Sequence, residues 1–226
     1  MGRTYRIGTR RSSLALKQVE EIVNSLKRFY PEFSYEILGI DTYGDKDKVT
    51  PISEIEGTDF FTRQIDEALL KGEIDFAVHS AKDLPDMIRK GLRVVAITRS
   101  IDPYDALVSK NNLTLNKLKY GAKIGTSSLR RKMQIRKYRK DFQIVDIRGN
   151  IEERLRFLSE TDLDAIVIAA AGLVRLGWED KISQRIPFEI IQPHPLQGAL
   201  ALMTRDNDLE LIELLSIVDS KESVLI

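Results

Sequence analysis

Cysteine is absent from the 226 residues, and histidine occurs only at His79 and His194. Without cysteine the chain forms no disulfide and a zinc site lacks its usual ligands, so no metal is expected. No apolar run reaches the roughly 20 residues of a membrane helix, and residues 1–7 contain no apolar signal region. These absences make a cytoplasmic protein without metals or disulfides the expectation.

A large net charge is absent as well. Lysine and arginine total 35 against 34 aspartate and glutamate residues, so the net charge is +1. Proteins that coat nucleic acid or membrane surfaces carry a strong excess of positive charge, and this chain is not expected to do either. Charged residues make up 31% and apolar residues 42% of the chain, as in globular proteins, and the length suffices for one large or two small domains.

Segments with strand and helix periodicity alternate along the chain. Strands are predicted at residues 6–7, 34–40, 74–78, 93–97, 106–108, 123–124, 144–147, 165–169 and 199–203, and helices at 14–26, 60–70, 128–139, 151–158, 170–176 and 209–218. The alternation predicts an α/β fold with mostly parallel sheets flanked by helices. Residues 41–59 are polar and show no period, so they are predicted to form a long functional loop or lid.

Two breakers, Ser100–Pro103 and Gln192–Pro195, divide this series. They predict a first domain of residues 1–99 plus 196–219 and an inserted second domain of residues 103–192. Two crossings between lobes suit a hinged architecture that binds ligand in a cleft, and ligands of open α/β sheets lie at the carboxyl ends of strands. Polar residues that follow predicted strands are therefore expected to converge on one cleft, namely Arg10, Lys82, Asp83, Arg130, Arg131 and Arg148.

Two arginine-rich segments, Gly125–Arg131 and Asp146–Asn150, stand where a strand turns into a helix. Guanidinium groups and free N–H groups at a helix start bind anions such as carboxylates and phosphates. The competing interpretation is a helix cap followed by a solvated basic helix, because positions 130–140 hold seven basic residues and no acid.

Anion binding is favoured for Arg130 and Arg131 beside the cap and for Arg148 beside a glycine. The solvated interpretation is favoured for the rest of the basic helix. For Arg154 the residues leave open whether it faces the cleft or pairs with a neighbouring glutamate on the helix surface.

Lys82 and Asp83 pair a cation with a carboxylate at a predicted strand end. Such a carboxylate can stabilise a cationic intermediate or transfer protons. The alternative is a simple turn at Asp83-Leu84-Pro85, because Asp and Pro are common in turns. From spacing alone the turn ranks ahead of the catalytic role.

Six motifs occur in order along the chain: Arg6–Leu16, Ala77–Pro85, Gly125–Arg131, Asp146–Ile151, Ala169–Leu173 and Gln197–Ala199. Together they closely resemble the porphobilinogen deaminase, or hydroxymethylbilane synthase, family. The resemblance implies two hinged lobes like those of periplasmic binding proteins, each with a mainly parallel or mixed sheet flanked by helices, and a small third domain. It implies a monomeric transferase of tetrapyrrole and haem biosynthesis that condenses four porphobilinogen molecules into hydroxymethylbilane with release of ammonia.

The resemblance also assigns roles residue by residue. Asp83 takes the role of the catalytic carboxylate that stabilises the electron-deficient methylene-pyrrole left by ammonia. Basic residues take the carboxylates of substrate, polypyrrole intermediates or cofactor, hydroxyl groups add hydrogen bonds, and an aromatic ring lies near the active-site loop. The implied binding residues are Arg10, Lys82, Arg130, Arg131, Arg148, Arg154, Ser12, Thr126, Ser127, Ser128, Phe61 and Gln197.

Three departures from the family pattern matter. Arg11 and Ser13 replace a usual glycine and proline, and residues 193–198 lack a usual Val-Gly. The family builds its product on a dipyrromethane primer held by a cysteine of the third domain. Here residues 220–226 are expected to be only the start of that domain, and no cysteine is present. Covalent attachment of the primer to this chain is therefore not expected.

Two interpretations follow from the missing cysteine. The first is a porphobilinogen deaminase that is a fragment or works with a separately encoded third domain. The second is a non-catalytic two-lobed module that binds pyrrole carboxylates or another small anion. Nucleic-acid binding through residues 130–140 is disfavoured because the net charge is near zero.

Overall fold

The computed structural model describes residues 3–47, 50 and 57–220. These residues form two compact units. Unit 1 comprises residues 3–47, 57–100 and 199–220, and unit 2 comprises residue 50 and residues 101–198. Within the described part of the chain, no helix is long and apolar enough to cross a membrane. Residues 221–226, the expected start of a third domain, lie outside the described residues.

The strands of the described residues are β1 Thr4–Thr9, β2 Ser34–Gly39, β3 Phe76–Ser80, β4 Leu92–Ile97, β5 Asp105–Ser109, β6 Lys123–Gly125, β7 Gln143–Val145, β8 Ala165–Ala169, β9 Gln184–Ile186 and β10 Leu200–Arg205. The α-helices are α1 Ser13–Lys27, α2 Tyr43–Lys46, α3 Arg63–Leu70, α4 Leu129–Tyr138, α5 Ile151–Glu160, α6 Ala170–Arg175 and α7 Leu209–Ser216. Short 3₁₀ helices span Asp59–Phe61, Ala81–Asp83, Lys110–Asn112, Leu115–Lys117 and Glu179–Lys181.

Unit 1 is built on a mixed sheet with strand order β2-β1-β3-β10-β4. β1 is parallel to β2 and β3, whereas β10 is antiparallel to β3 and β4. One face of the sheet packs on α1, which buries Val19, Ile22 and Leu26 at helical spacing. The other face packs on α3. The carboxyl ends of β1 and β3 therefore lie at one edge of the sheet, beside the start of β10.

Unit 2 repeats this arrangement with strand order β7-β6-β8-β5-β9. β6 is parallel to β7 and β8, and β5 runs antiparallel to β8 and β9. The carboxyl ends of β6, β7 and β8 consequently lie at the same edge as the start of β5. Both sheets are thus mixed, as the family resemblance implied, because one strand in each runs opposite to the other four.

Several element boundaries differ from the predictions. β3 begins at Phe76 rather than at Ile74, although Ile74 is fully buried. β9 was not predicted, because Gln184–Ile186 is a short edge strand without a polar–apolar period. Within the predicted loop 41–59, α2 forms a helical turn closed by a capping box between Thr42 and Asp45. Residues 48, 49 and 51–56 of that predicted lid lie outside the described residues.

Candidate functional site

Unit 1 presents Arg10 directly after β1, and Lys82 and Asp83 in the 3₁₀ helix that follows β3. Because β1 and β3 are neighbouring parallel strands, paired at Gly8 and Ala77, both segments leave the sheet at the same edge. Ser12 lies next to Arg10 and caps α1, where its hydroxyl accepts the N–H of Ala15 at 3.2 Å. The residues that follow β1 and those that follow β3 therefore lie at the same edge of the sheet in unit 1.

The guanidinium of Arg10 is held on two sides. Its Nε donates to Oδ1 of Asp45 at 3.0 Å, and its Nη2 donates to the same oxygen. Its Cζ lies 5.0 Å from the centroid of the Phe61 ring. Burial opposes ionisation of Asp45, but the hydrogen bond and charge of Arg10 lower the pKa of this carboxyl below its usual value. Arg10 is thus fixed in orientation while its Nη1 has no acceptor among the described residues.

Gly44 is required for this arrangement. A Cβ atom at position 44 would lie 2.1 Å from ring carbons of Phe61, far inside van der Waals contact. The absence of a side chain lets α2 approach the aromatic ring closely, so Phe61 and Asp45 enclose the guanidinium of Arg10 together.

Asp83 differs from the other acids at this edge. Its side chain is half-buried, and within the described residues its carboxylate has no hydrogen-bond or ion-pair partner. Lys82 beside it is also half-buried. A carboxylate held at a strand end without an internal partner is available to a ligand that carries positive charge.

His79 in β3 is a buried group that the sequence analysis left without a role in the site. Its Nε2 has no hydrogen-bond partner among the described residues. Burial, with a smaller effect from the charge of Arg10, lowers the pKa of His79 to about 4. The imidazole is therefore neutral at pH 7 and adds no charge beside Arg10.

Unit 2 joins its two predicted anion segments through Ser127. The Ser127 hydroxyl donates to the carbonyl of Ile147 at 2.7 Å and accepts the N–H of Ile147 at 2.9 Å. Ser127 is buried, and this exchange locks the loop after β6 to the loop after β7. Its hydroxyl is consequently engaged within unit 2, whereas the sequence analysis expected it to face a ligand.

Thr126 and Ser128 flank this lock at the start of α4. The Thr126 Oγ1 is buried and has no partner among the described residues, while the Thr126 N–H bonds to the carbonyl of Val145 at 2.9 Å. Ser128 occupies the N-cap position of α4, but its side chain makes no capping hydrogen bond. The first turn of α4 therefore lacks the side-chain cap that commonly satisfies its free N–H groups.

Arg130 and Arg131 both pair with Asp105 at the start of β5. The Arg130 Nη2 donates to Oδ2 of Asp105 at 2.8 Å, and the Arg131 Nε donates to Oδ1 at 2.9 Å. Burial opposes ionisation of Asp105, but the charges of Arg131 and Arg130 lower its pKa below the usual value. Asp105 was not predicted from the sequence, because its contacts join it to residues that are distant in the chain.

Gln197 belongs to the same buried network. Its Nε2 donates to the carbonyl of Pro103 at 2.8 Å and to Oδ1 of Asp105 at 3.1 Å. Its Oε1 accepts from the Nη2 of Arg131 at 3.3 Å. Because Pro103 and Gln197 stand where the chain enters and leaves unit 2, the network fastens these two segments to each other.

Arg148 and Arg154 lie around the start of α5. The Arg148 Nη1 donates to the carbonyl of Thr50 at 2.6 Å, and the Arg154 Nε donates to the carbonyl of Gly149 at 2.9 Å. Gly149 has a φ of 103°, in the region that favours glycine, and Asn150 then caps α5. The turn thus directs two arginines to the edge that also carries Thr126 and Ser128.

Comparison with known proteins shows which family this chain belongs to. A family model described as "Porphobilinogen deaminase, dipyromethane cofactor binding domain" matches residues 5–213. The chain belongs to the porphobilinogen deaminase family. Among its relatives, porphobilinogen deaminase of Natranaerobius thermophilus is 50% identical over 96% of this chain and 70% of that protein. Porphobilinogen deaminase of Brevibacillus brevis is 47% identical over 95% of this chain and 70% of that protein. The resemblance drawn from the six motifs is confirmed.

Solved structures with low sequence identity to this chain share its fold. The methionine binding protein MetQ superimposes with a TM-score of 0.59 at 15% identity, covering 98% of this chain and 91% of MetQ. A nutrient binding protein from Burkholderia cenocepacia gives a TM-score of 0.55 at 14% identity over 94% of this chain and 90% of that one. The expected α/β fold of the periplasmic-binding-protein type, with a sheet flanked by helices in each unit, is confirmed.

Proposed function

We propose that this chain binds porphobilinogen and its polypyrrole products and supplies the carboxylate that drives their condensation to hydroxymethylbilane with release of ammonia. The observation that carries the proposal is Asp83, a strand-end carboxylate without a partner among the described residues, at the sheet edge that presents Arg10. Membership of the porphobilinogen deaminase family supports the same assignment. In this proposal units 1 and 2 act as hinged lobes, divided as residues 1–99 plus 196–219 and residues 103–192.

The charges suit this class of substrate. Each porphobilinogen carries one acetate and one propionate, so a growing chain accumulates carboxylates. Guanidinium groups bind carboxylates with two parallel hydrogen bonds. The proposed carboxylate ligands are Arg10 and Lys82 in unit 1 and Arg130, Arg148 and Arg154 in unit 2, with Ser12, Thr126 and Ser128 as hydrogen-bonding residues and Phe61 as an aromatic wall. Arg131, Ser127 and Gln197, which the sequence also indicated, support these residues through their hydrogen bonds within unit 2.

Asp83 has the catalytic role. Loss of ammonia from porphobilinogen breaks a C–N bond and leaves an electron-deficient methylene-pyrrole whose positive charge develops in the transition state. A fixed carboxylate beside the pyrrole ring stabilises the transition state, in which the ring becomes cationic, more than the substrate, in which the ring is uncharged, and this accelerates the step. In this proposal the same carboxylate accepts a proton when the new carbon–carbon bond has formed.

The residues of unit 2 fit the carboxylates of a dipyrromethane cofactor. The Oγ1 of Thr126 has no partner among the described residues, the first turn of α4 has no side-chain cap, and Arg130 lies in that turn. When bound, that group supplies the terminal pyrrole carbon to which substrate is added. The 226 residues contain no cysteine, so this polypeptide forms no thioether to it.

The absence of a covalent bond to the cofactor is checked on the purified chain. Mass spectrometry is expected to give the mass calculated from the sequence, and an acidic aldehyde reagent for pyrroles is expected to give no colour. A mass increase equal to two pyrrole units would show covalent attachment through another residue and would contradict the expectation.

Turnover tests the proposed function. The chain is mixed with the separately produced cysteine-bearing domain of a relative and supplied with porphobilinogen, and ammonia and hydroxymethylbilane are measured. Wild-type chain is expected to turn over, and Asp83→Asn is expected to lower the rate by at least about 100-fold, as for loss of a transition-state charge partner. Asp83→Glu, which keeps the charge, is the matched control and is expected to retain part of the rate. Equal rates for wild type and Asp83→Asn would reject the catalytic assignment.

A second candidate function is favoured by the absence of cysteine. In it the chain captures pyrrole carboxylates or another small anion without turnover. Calorimetric titration with porphobilinogen and with free linear tetrapyrrole separates the two. Binding without any turnover in the reconstituted mixture would select the binding module, whereas turnover would select the enzyme.

A further inference from the structure

Asp105 has no role in the mechanism proposed above, yet it is fully buried and contacts both arginines of the pair Arg130–Arg131. We infer that Asp105 is a positioning residue that orients the Arg130 guanidinium for a ligand carboxylate. The inference rests on the proposed function and names the part of unit 2 that prepares its arginines for binding.

The two arginines are engaged to different extents. The Arg131 Nε and Nη2 donate to Asp105 at 2.9 and 2.5 Å, its Nη1 donates to the carbonyl of Val167 at 3.3 Å, and its side chain is only 7% exposed. The Arg130 side chain is 24% exposed, and its Nε has no acceptor among the described residues. Of the two, Arg130 retains a donor for a ligand.

The Arg130 guanidinium is nevertheless fixed. Its Nη2 donates to Asp105 at 2.8 Å and its Nη1 donates to the carbonyl of Gln192. An arginine that is free in solution loses much rotamer entropy when it binds a carboxylate, and fixing it in advance removes that cost. Asp105 is therefore expected to strengthen binding although it touches no ligand.

The charge of the cluster points to the same conclusion. Two guanidinium groups share one carboxylate, so the group of Arg130, Arg131 and Asp105 carries a net charge of +1. The excess charge lies on Arg130, whose side chain is 24% exposed and open to a ligand anion. A ligand carboxylate on the open side of Arg130 completes the neutralisation, whereas a purely structural pair would need no further anion.

Substitution of Asp105 tests the inference, with Asp102 as the matched control. Asp102 lies in the same entering segment, its side chain is 7% exposed, and it accepts from the Nε of Arg185 at 2.7 Å. Dissociation constants for porphobilinogen are measured by calorimetry on the 226-residue chain at a temperature where each variant is folded. Asp105→Asn is expected to raise the dissociation constant at least about tenfold, the loss of a charged hydrogen bond, and Asp102→Asn to change it by less than about twofold, while both lower the melting temperature.

A merely structural Asp105 would lower the melting temperature and leave the dissociation constant of the folded protein unchanged, and that result would overturn the inference. If Asp105→Asn does not fold, nitrogen-15 NMR of the arginine Nε–H groups in the unmodified chain decides. Porphobilinogen is expected to shift the Arg130 signal, with the Arg131 signal protected from solvent exchange throughout. Binding without a shift at Arg130 would overturn the inference alone, whereas absence of any porphobilinogen binding would reject the proposed function and the inference with it.

Discussion

Asp66 of unit 1 and Asp105 of unit 2 are both almost completely buried, and the two carboxyl groups have opposite surroundings. Asp66 of unit 1 is 1% exposed, accepts one hydrogen bond from the Thr62 hydroxyl at 3.1 Å, and leaves its Oδ1 without a partner among the described residues. Asp105 of unit 2 is fully buried but contacts two guanidinium groups and an amide. Burial raises the pKa of Asp66 to about 6, whereas the arginines lower that of Asp105 despite its burial.

Burial alone therefore does not determine whether an internal carboxyl group stabilises the fold. The groups that contact the carboxyl determine it, because removing a charge from water costs free energy until an opposite charge and hydrogen bonds replace the water. Asp105 contacts the two arginines of the candidate site in unit 2. Asp66 lies in α3 of unit 1, shortly after Phe61, where burial opposes ionisation of its carboxyl group.

Removal of the carboxylate from Asp105 is expected to have the largest effect on stability. Asp105→Ala leaves two guanidinium groups without their buried counter-ion, and breaking such a pair typically costs about 3–5 kcal/mol. Urea unfolding at pH 7 measures the free energy. A loss below about 1 kcal/mol would show that solvent replaces the carboxylate, and the contrast with unit 1 would then be wrong.

Asp66→Asn is expected to act in the opposite direction. The pKa rises from 3.8 to about 6 on folding, which corresponds to about 3 kcal/mol. The folded state binds the proton more tightly, so the stabilising contribution of Asp66 is present below about pH 4 and lost as the pH rises through about 6. The substitution should therefore increase stability by up to about 3 kcal/mol at pH 8. The gain should shrink on acidification, and a gain that is independent of pH would contradict this assignment.

The contribution of Asp105 to stability has the opposite pH dependence. Because its pKa is lowered on folding, its contribution is present at neutral pH and is lost only as the pH falls below the unfolded value. Comparison of the wild-type pH profile with those of Asp66→Asn and Asp105→Asn separates the two acids.

Within unit 2, substitutions of Arg130 and Arg131 are expected to differ in their effects on stability and on binding. Arg131→Lys is expected to cost about 2 kcal/mol, since lysine cannot reproduce the buried fork of hydrogen bonds. Arg130→Lys is expected to cost less than about 1 kcal/mol because its side chain is more exposed. In porphobilinogen titrations the order should reverse, with Arg130→Lys weakening binding more. Equal losses of stability would mean that Asp105 does not distinguish the two arginines.

The pair of Arg10 and Asp45 in unit 1 should show the smallest effect. Both side chains are more than a quarter exposed, at 27% and 28%, and ion pairs of this kind contribute about 0–1 kcal/mol. Asp45→Asn is expected to reduce stability by less than about 1 kcal/mol and to do so less at high salt. A loss as large as that for Asp105→Ala would show that the contacts with Phe61 and Gly44 make this pair part of the core.

Much of the fold could be predicted from local patterns. The apolar spacing in residues 14–26 predicted α1, the apolar run at residues 165–169 predicted β8, and both agree with the structure. The patterns failed for α2 and β9, which are too short to show a period. They did not predict that β5 and β10 run opposite to the other strands, because strand direction depends on which strands pair and not on the residues within one strand.

The candidate site could be predicted in part. Strand ends followed by basic residues indicated both sheet edges, since the carboxyl ends of parallel strands meet at one edge. The internal engagement of Ser127 and Gln197 and the presence of Asp45 and Asp105 were not predictable. These contacts join residues distant in the chain, such as Asp105 and Arg131, and no local spacing encodes them.

The sequence by itself determined the family, the α/β class and the segments that carry cations and hydroxyl groups, because motifs and hydrophobic periods are local properties. Only the tertiary structure decided that Arg131 is enclosed and that Arg130 keeps a donor without an acceptor among the described residues. It also decided that Asp105 forms ion pairs, whereas Asp66 forms none with the described residues. The physical reason is that burial and charge pairing depend on which distant groups are folded against each residue, and neighbours on a helix point in different directions.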